Sequence, residues 1–310
     1  MLSLVIPVYR NEDSIHELLE AIGHLNRELC GQLEAVLVVD GSPDRCYERL
    51  RFALPRQPYR AKLLLLTRNF GSFAAIRAGL EAGGGERFAV MAADLQEPPD
   101  LVIAMDHALR RDEADVVIGV RESRADPILA RLPAAVFWAL YRRFVIPEVP
   151  PGGVDVFGCN RSFRNQLLQL EERHSSLIAQ IFWLGYRRKT IGYVRNERRH
   201  GKSGWTFRKK LNYLMDSIFS FTDLPIRLLI RVGGGTAFLS LVFALALVIL
   251  RLAGGINVPG YAATMVAIVF FGSLNLFWLG IVGDYAWRTY ENTKCRPLHV
   301  VLRTHEYNGN

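Results

Sequence analysis

The chain of 310 residues reads as an α/β protein. A mostly parallel, doubly wound sheet domain comes first, then interfacial amphipathic helices, then a C-terminal hairpin of two transmembrane helices. Three observations predict this. Apolar runs of strand length alternate with helical patterns through the N-terminal part of the chain. Two long stretches near the C-terminus carry no charge. Ahead of them, basic residues interleave with large apolar ones, as in a helix lying in a lipid headgroup layer.

Strand-like runs fall at residues 2–9, 34–40, 61–67, 87–94 and 114–120, with helical patterns at 12–29, 45–53, 73–81 and 101–111. A parallel sheet brings the polar cluster after each strand to one carboxyl edge, where ligands bind in such folds. Those clusters are Arg10-Asn11-Glu12, Asp40-Gly41-Ser42, Arg68-Asn69-Phe70-Gly71, Asp94-Leu95-Gln96 and Arg121-Glu122-Ser123-Arg124. Together they describe a nucleotide pocket. Asp40 either accepts hydrogen bonds from a base or ribose, or N-caps a helix that begins near Pro43. Arg68 either faces phosphate or stands exposed in a loop. Gly71 and Gly79 bracket a helix, where close packing is a sufficient reason for both. No GxGxxG follows the first strand and no Walker A sequence occurs, which argues against dinucleotide and P-loop binding.

Residues 87–99, RFAVMAADLQEPP, are the most informative. A buried strand gives way to Asp94, Gln96 and Glu97, then to a Pro98-Pro99 stop. Asp94 and Gln96 lie two apart, hence on one side of an extended chain. Hard oxygen donors so placed suit Mg²⁺ or Mn²⁺, ions that clamp phosphates; the alternative is an acidic, solvated turn.

From Val232 to Leu250 there is no charged residue, nor from Ile256 to Gly283. The first run, at about 1.5 Å per residue, spans roughly the 30 Å of a bilayer core. A short uncharged connection makes the two a hairpin with both flanks on one side. Arg208, Lys209, Lys210, Arg227 and Arg231 precede it, and Arg288, Lys294, Arg296 and Arg303 follow. The positive-inside rule therefore places the N-terminal domain and the tail in the cytoplasm. The expected domains are 1–205, the sheet domain; 206–229, interfacial helices broken near Pro225; 230–284, the two spans; and 285–310, a cytoplasmic tail.

The net charge of +8 points to an anionic partner; it clusters beside the spans, and no nucleic-acid module is legible. Cys30, Cys46, Cys159 and Cys295 are widely spaced with no CxxC pair, so they read as reduced thiols. No secretory signal peptide is visible at the N-terminus.

Several segments in order resemble the family 2 glycosyltransferases of GT-A fold, within them the polyisoprenyl-phosphate glycosyltransferases. LVIPVYRNEDSI resembles their opening strand and turn, VVDGSPD their nucleoside-binding VDDGSxD, and TRNFGSFAAIRAGLE their SRNFGxxAAxxAGL. MAADLQEPPDL is similar to their DxDLQxPP metal motif and GGVDVFGCNR to their acceptor-side run. RRHGKSGWTFRKK, the hairpin and Arg296-Pro297-Leu298 complete the resemblance. Two departures stand out: the acidic pair of VDDGS is Val39-Asp40 here, and the first Asp of DxD is Ala92.

The resemblance implies inverting transfer of a sugar from a nucleotide-diphosphate sugar, such as UDP-glucose, to a polyprenyl phosphate in the bacterial inner membrane. It assigns nucleotide-sugar binding to Pro7, Tyr9, Glu12, Asp40, Arg68, Asn69, Gly71, Arg199, Lys202 and Ser203. Asp94 and Gln96 would hold Mg²⁺ or Mn²⁺, with more water or phosphate ligands because of Ala92. Asp94 and Asp155 would be the catalytic residues, Asp155 matching the acceptor-side aspartate and either orienting the phosphate or assisting as a base. Arg121 and Arg131 would neutralise the lipid phosphate, although solvated surface arginines are the plainer alternative. The hairpin is also a plausible surface for a dimer or tetramer. Two other functions compete: a non-catalytic membrane scaffold that lost metal chemistry through Ala92, and a processive polysaccharide synthase. The second lacks a QxxRW motif and has too few spans for a polymer channel.

Overall fold

The structure is a computed structural model that describes residues 1–123, 139, 141–143, 146–150, 154, 156–172, 175–196, 215–222, 224–252 and 260–309. The chain divides into two units: Met1–Leu211 with Arg296–Asn310, and Asn212–Cys295.

In the first unit, β1 (Leu2–Val8), α1 (Ile15–Glu28), β2 (Leu33–Val39), α2 (Cys46–Ala53), β3 (Arg60–Leu66), α3 (Ser72–Ala82), β4 (Arg87–Val90) and α4 (Pro99–Arg110) alternate as the sequence predicts. β5 (Val116–Ser123), β6 (Val156–Asn160), α5 (Arg161–Gln169), α6 (Leu177–Trp183), β7 (Arg188–Val194) and a C-terminal β8 (Val301–Tyr307) follow. The eight strands form one sheet in the order β7-β5-β6-β4-β1-β2-β3-β8. β1 is parallel to β2 and β4, β2 to β3, and β5 to β7, whereas β6 and β8 run antiparallel to their neighbours. The expected mixed, mostly parallel α/β sheet is therefore present.

Burial explains the order. β2 is buried at every residue, which only a central strand with both faces covered can be. α1 buries Ile15, Leu18, Leu19 and Ile22, one helical face, in the core it shares with β1 and β2. α3 lies so close to the sheet that a Cβ on Gly79 would come within 2.3 Å of Val5 Cγ1.

The differences from expectation are local. β4 stops at Val90, so Asp94 and Gln96 are not on an extended chain; Leu95 adopts φ +52°, and its amide bonds to the Ala92 carbonyl (3.4 Å) in a turn. The predicted tail contains β8, which pairs with β3 from Ala61↔Tyr307 to Leu66↔Val301.

In the second unit, residues 215–221 are helical, and α7 (Leu224–Leu252) and α8 (Tyr261–Thr293) are long. Pro225 lies in the first turn of α7, where its missing N–H costs nothing, so residues 224–229 belong to α7 rather than to a separate interfacial helix. α8 likewise continues past Asp284, whose carboxylate pairs with Arg288 one turn on (2.7 Å). Some side chains of α7 and α8 are undescribed; among the described residues no helix is long and apolar enough to cross a membrane. Even so, Phe238, Leu239, Phe243, Leu276 and Phe277 are 61–72 % exposed.

Candidate active site

The parallel strands β1 to β5 deliver their C-terminal ends to one edge, and antiparallel β6 begins there, with Val156 opposite Gly119. The residues after β1 and β2 are tied together. The Asp40 N–H donates to the Val8 carbonyl (3.0 Å), extending the pairing of the two strands. The Arg10 N–H donates to Ser42 Oγ (2.8 Å), and Ser42 Oγ donates to Asp44 Oδ1 (2.6 Å).

Asp40 is buried, and its carboxylate takes two main-chain donors, Phe70 N–H on Oδ1 (2.7 Å) and Gly71 N–H on Oδ2 (2.9 Å). Burial pushes this carboxyl above its usual range, while those amides and the Arg68 charge pull it back. Asp40 thus clamps the β3–α3 loop. It does not cap α2, which starts at Cys46 rather than near Pro43. Asp44 holds the start of that helix instead, taking donors from Ser42, Cys46 and the Glu12 amide. Partial burial raises the Asp44 carboxyl, but these hydrogen bonds outweigh it and hold the group below the usual carboxylate range. The serine and aspartate ahead of a helix are a start signal legible in SPD, yet Asp44 went unassigned at the sequence level.

Two glycines shape this edge for different reasons. Gly41 has φ +53°, and a Cβ there would lie 2.2 Å from the Arg68 carbonyl carbon, so only glycine lets the two loops touch. Gly71 has φ +99° at the N-terminus of α3 with open space around it, so conformation and not packing selects it. Arg68 and Asn69 are exposed, and the Arg68 guanidinium lies 4.4 Å from the Phe70 ring centroid. Tyr9 is 40 % exposed and Pro7 half-buried. Glu12 has its carboxylate on Arg45 (3.1 Å) and Arg49 (2.8 Å), and the Arg45 amide, first among these donors, lowers its pKa. Its side chain therefore braces α2, a constraint on the predicted nucleotide contact.

Asp94 is half-buried in the turn after β4, and its Oδ1 accepts from the Gln96 N–H (3.4 Å). The Gln96 side chain is buried and reaches residues after β7: Nε2 donates to the Asn196 carbonyl (3.5 Å), and Oε1 accepts from Arg195. Sequence reading missed Arg195 and Asn196, because no local pattern announces a contact about a hundred residues away. Arg121 lies near the end of β5, paired in register with Tyr193. Asp155, Arg131, Arg199, Lys202 and Ser203 lie outside the described residues.

Among the described residues no group of three His, Cys, Asp or Glu is placed to hold a metal. The donor chemistry at this edge nevertheless fits a hard divalent ion: one carboxylate at Asp94 and an amide oxygen at Gln96, the same oxygen that accepts from Arg195. All four cysteines are free, Cys46 and Cys159 buried; burial first, then the Asp44 contact, pushes the Cys46 thiol up to about 12.

The sequence model of glycosyl transferase family 2 matches residues 3–170. The chain is 34 % identical over 307 residues to undecaprenyl-phosphate 4-deoxy-4-formamido-L-arabinose transferase of Pseudomonas paraeruginosa, covering 98 % of this chain and 90 % of that one. It is 29 % identical over 310 residues to the SfII prophage-derived bactoprenol glucosyl transferase of Shigella flexneri, covering 99 % of both. Glucosyl-3-phosphoglycerate synthase from Mycobacterium tuberculosis, solved with Mn²⁺, uridine diphosphate and glucosyl-3-phosphoglycerate, is similar at a TM-score of 0.47 and 18 % identity, over 70 % of this chain and 77 % of that one. The chain belongs to glycosyl transferase family 2.

Proposed function

We propose that this enzyme moves a sugar from a nucleotide-diphosphate sugar to a polyprenyl phosphate. The observation that carries the proposal is the gathering of the Asp40-clamped β3–α3 loop and the Asp94–Gln96 turn at one sheet edge. The names of the two full-length relatives support the acceptor class.

In this account the nucleoside lies against Pro7, Tyr9, Asp40, Arg68, Asn69 and Gly71, with Glu12 contributing through the start of α2 that it braces. Asp94 and Gln96 would hold Mg²⁺ or Mn²⁺, which supplies charge stabilisation for a departing nucleoside diphosphate. Arg199, Lys202 and Ser203 add donors to the same phosphates and exclude water. The acceptor phosphate has a second pKa of about 6 and is already an anion near neutral pH. It needs positioning and neutralisation more than deprotonation, the task given to Arg121 and Arg131, with Asp155 orienting it. The sugar and the base are left open by these residues.

Membrane attachment through α7 and α8 belongs to the same proposal. The uncharged runs Val232–Leu250 and Ile256–Gly283 fall largely in these helices, and their exposed Phe and Leu side chains would be costly in water. The flanking cations favour the sheet domain on the cytoplasmic side. An acceptor lipid would then present its phosphate at the surface where the domain works.

The test is sugar transfer by the purified protein in detergent with Mg²⁺ or Mn²⁺ and polyprenyl phosphate, screened across nucleotide sugars with the lipid product identified by mass. Asp94→Ala is expected to lower turnover by about a hundredfold or more. Normal turnover in that variant would refute the metal assignment. Absence of any metal-dependent nucleotide-sugar binding by the unaltered protein would favour the scaffold reading that Ala92 raises.

A further inference from the structure

The turn that carries Asp94 and Gln96 is held by residues far along the chain. The Asn196 N–H donates to the Gln96 carbonyl (2.9 Å), and Asn196 Nδ2 donates to the Leu95 carbonyl (3.4 Å). The Gln96 amide is held at both ends, its oxygen accepting from Arg195 Nη2 and its nitrogen donating to the Asn196 carbonyl. Turning the amide over would set its NH₂ against a guanidinium and its oxygen against a carbonyl, two mismatches at once. Only one orientation satisfies both neighbours. The strained φ of Leu95, +52°, is of the kind that persists only where the surroundings fix it.

We propose that Arg195 and Asn196 are positioning residues of the reaction: they fix the 94–97 turn and the orientation in which Gln96 offers its oxygen to a divalent ion. This rests on the assignment of that ion to Asp94 and Gln96. Hydrogen bonds behind a metal ligand commonly set its orientation and so its affinity for the ion. Arg195 also brings a positive charge that repels a cation. The two effects have opposite signs, and this makes the proposal decidable. Loss of orientation weakens metal binding, whereas loss of repulsion alone strengthens it.

The experiment compares the full-length protein in detergent with Arg195→Ala, Arg195→Lys and Asn196→Ala by two readouts. The first is hydrogen exchange of the peptide covering residues 91–98, without metal or nucleotide. Arg195→Ala and Asn196→Ala are expected to exchange about tenfold faster there, with β4 and β1 unchanged, a pattern that general misfolding would not give. The second is Mn²⁺ titration followed by electron paramagnetic resonance. Arg195→Ala is expected to bind about 10–100-fold more weakly, and Arg195→Lys, which still donates a hydrogen bond, to recover much of the loss. Unchanged exchange at 91–98 in both alanine variants overturns the proposal whether or not Mn²⁺ binds. Tighter Mn²⁺ binding by Arg195→Ala also overturns it. If the unaltered protein binds no Mn²⁺, the metal assignment fails separately, and the exchange result alone decides the clamp.

Discussion

Asp40 shows how one side chain can serve a fold and a site together. Its two oxygens satisfy the amides of Phe70 and Gly71, so the loop that carries Arg68 and Asn69 has a fixed shape before any ligand arrives. Removing the carboxylate would leave two part-buried donors without this partner. Asp40→Ala is expected to destabilise the domain by about 2 kcal/mol, read as a lower urea midpoint at unchanged slope. Because burial raises its pKa in the folded state, the pH-linked part of the Asp40 contribution is fully present below the unfolded carboxylate value and is lost as pH rises through the folded one, while the two amide hydrogen bonds remain. Asp44 has the opposite sign: its lowered pKa gives stability above the unfolded value that is lost as pH falls through the folded one. Between these two neighbours, only Asp40 was legible as a candidate from the sequence. Its partners, Phe70 and Gly71, could not be paired with it until β2 and β3 were seen side by side.

At the scale of elements, the strand β8 is the main departure from expectation. Its residues VLRTHEY carry charges at Arg303 and Glu306, and five of the seven are exposed, so its composition reads as a tail. Pairing with β3 makes it an edge strand, and charged side chains are what keeps such an edge from recruiting other chains. The Thr67 N–H, next to Arg68, donates to the Val300 carbonyl (3.0 Å), and Tyr47 Oη and His305 Nε2 lie 2.8 Å apart. Deleting residues 296–310 is expected to cost roughly 3 kcal/mol or more from the lost ladder. Hydrogen exchange would report it as fast exchange in β3 and the following loop; exchange no faster than in the full chain would mean that β8 carries no load. The turn after β4 makes the same point at shorter range. Its apolar-to-acidic switch marked the end of β4, but the extended geometry inferred for Asp94 and Gln96 gave way to a turn held by residues just after β7.

For the molecule as a whole, the two units have contrasting surfaces. The sheet unit buries most of its apolar side chains, whereas the Asn212–Cys295 unit exposes many large ones along α7 and α8. The membrane hairpin proposed above would reconcile that exposure with stability, with a bilayer as solvent. The expected behaviour is retention in the membrane pellet after alkaline carbonate washing and release by detergent; recovery in the washed supernatant would remove the hairpin proposal. The flanking cations further predict that a protease added to sealed inside-out vesicles, cytoplasmic face outward, cleaves the sheet unit.

The order of strands and helices through α4, the uncharged runs and the family motifs were fixed by sequence, because each depends on local period or on short contiguous residues. Tertiary structure alone decided the placement of β6, β7 and β8, the engagement of Glu12 with Arg45 and Arg49, and the hold of Arg195 and Asn196 on the Asp94–Gln96 turn. Those contacts join segments tens to hundreds of residues apart, and a pairing across such distances leaves no periodic trace in either segment by itself.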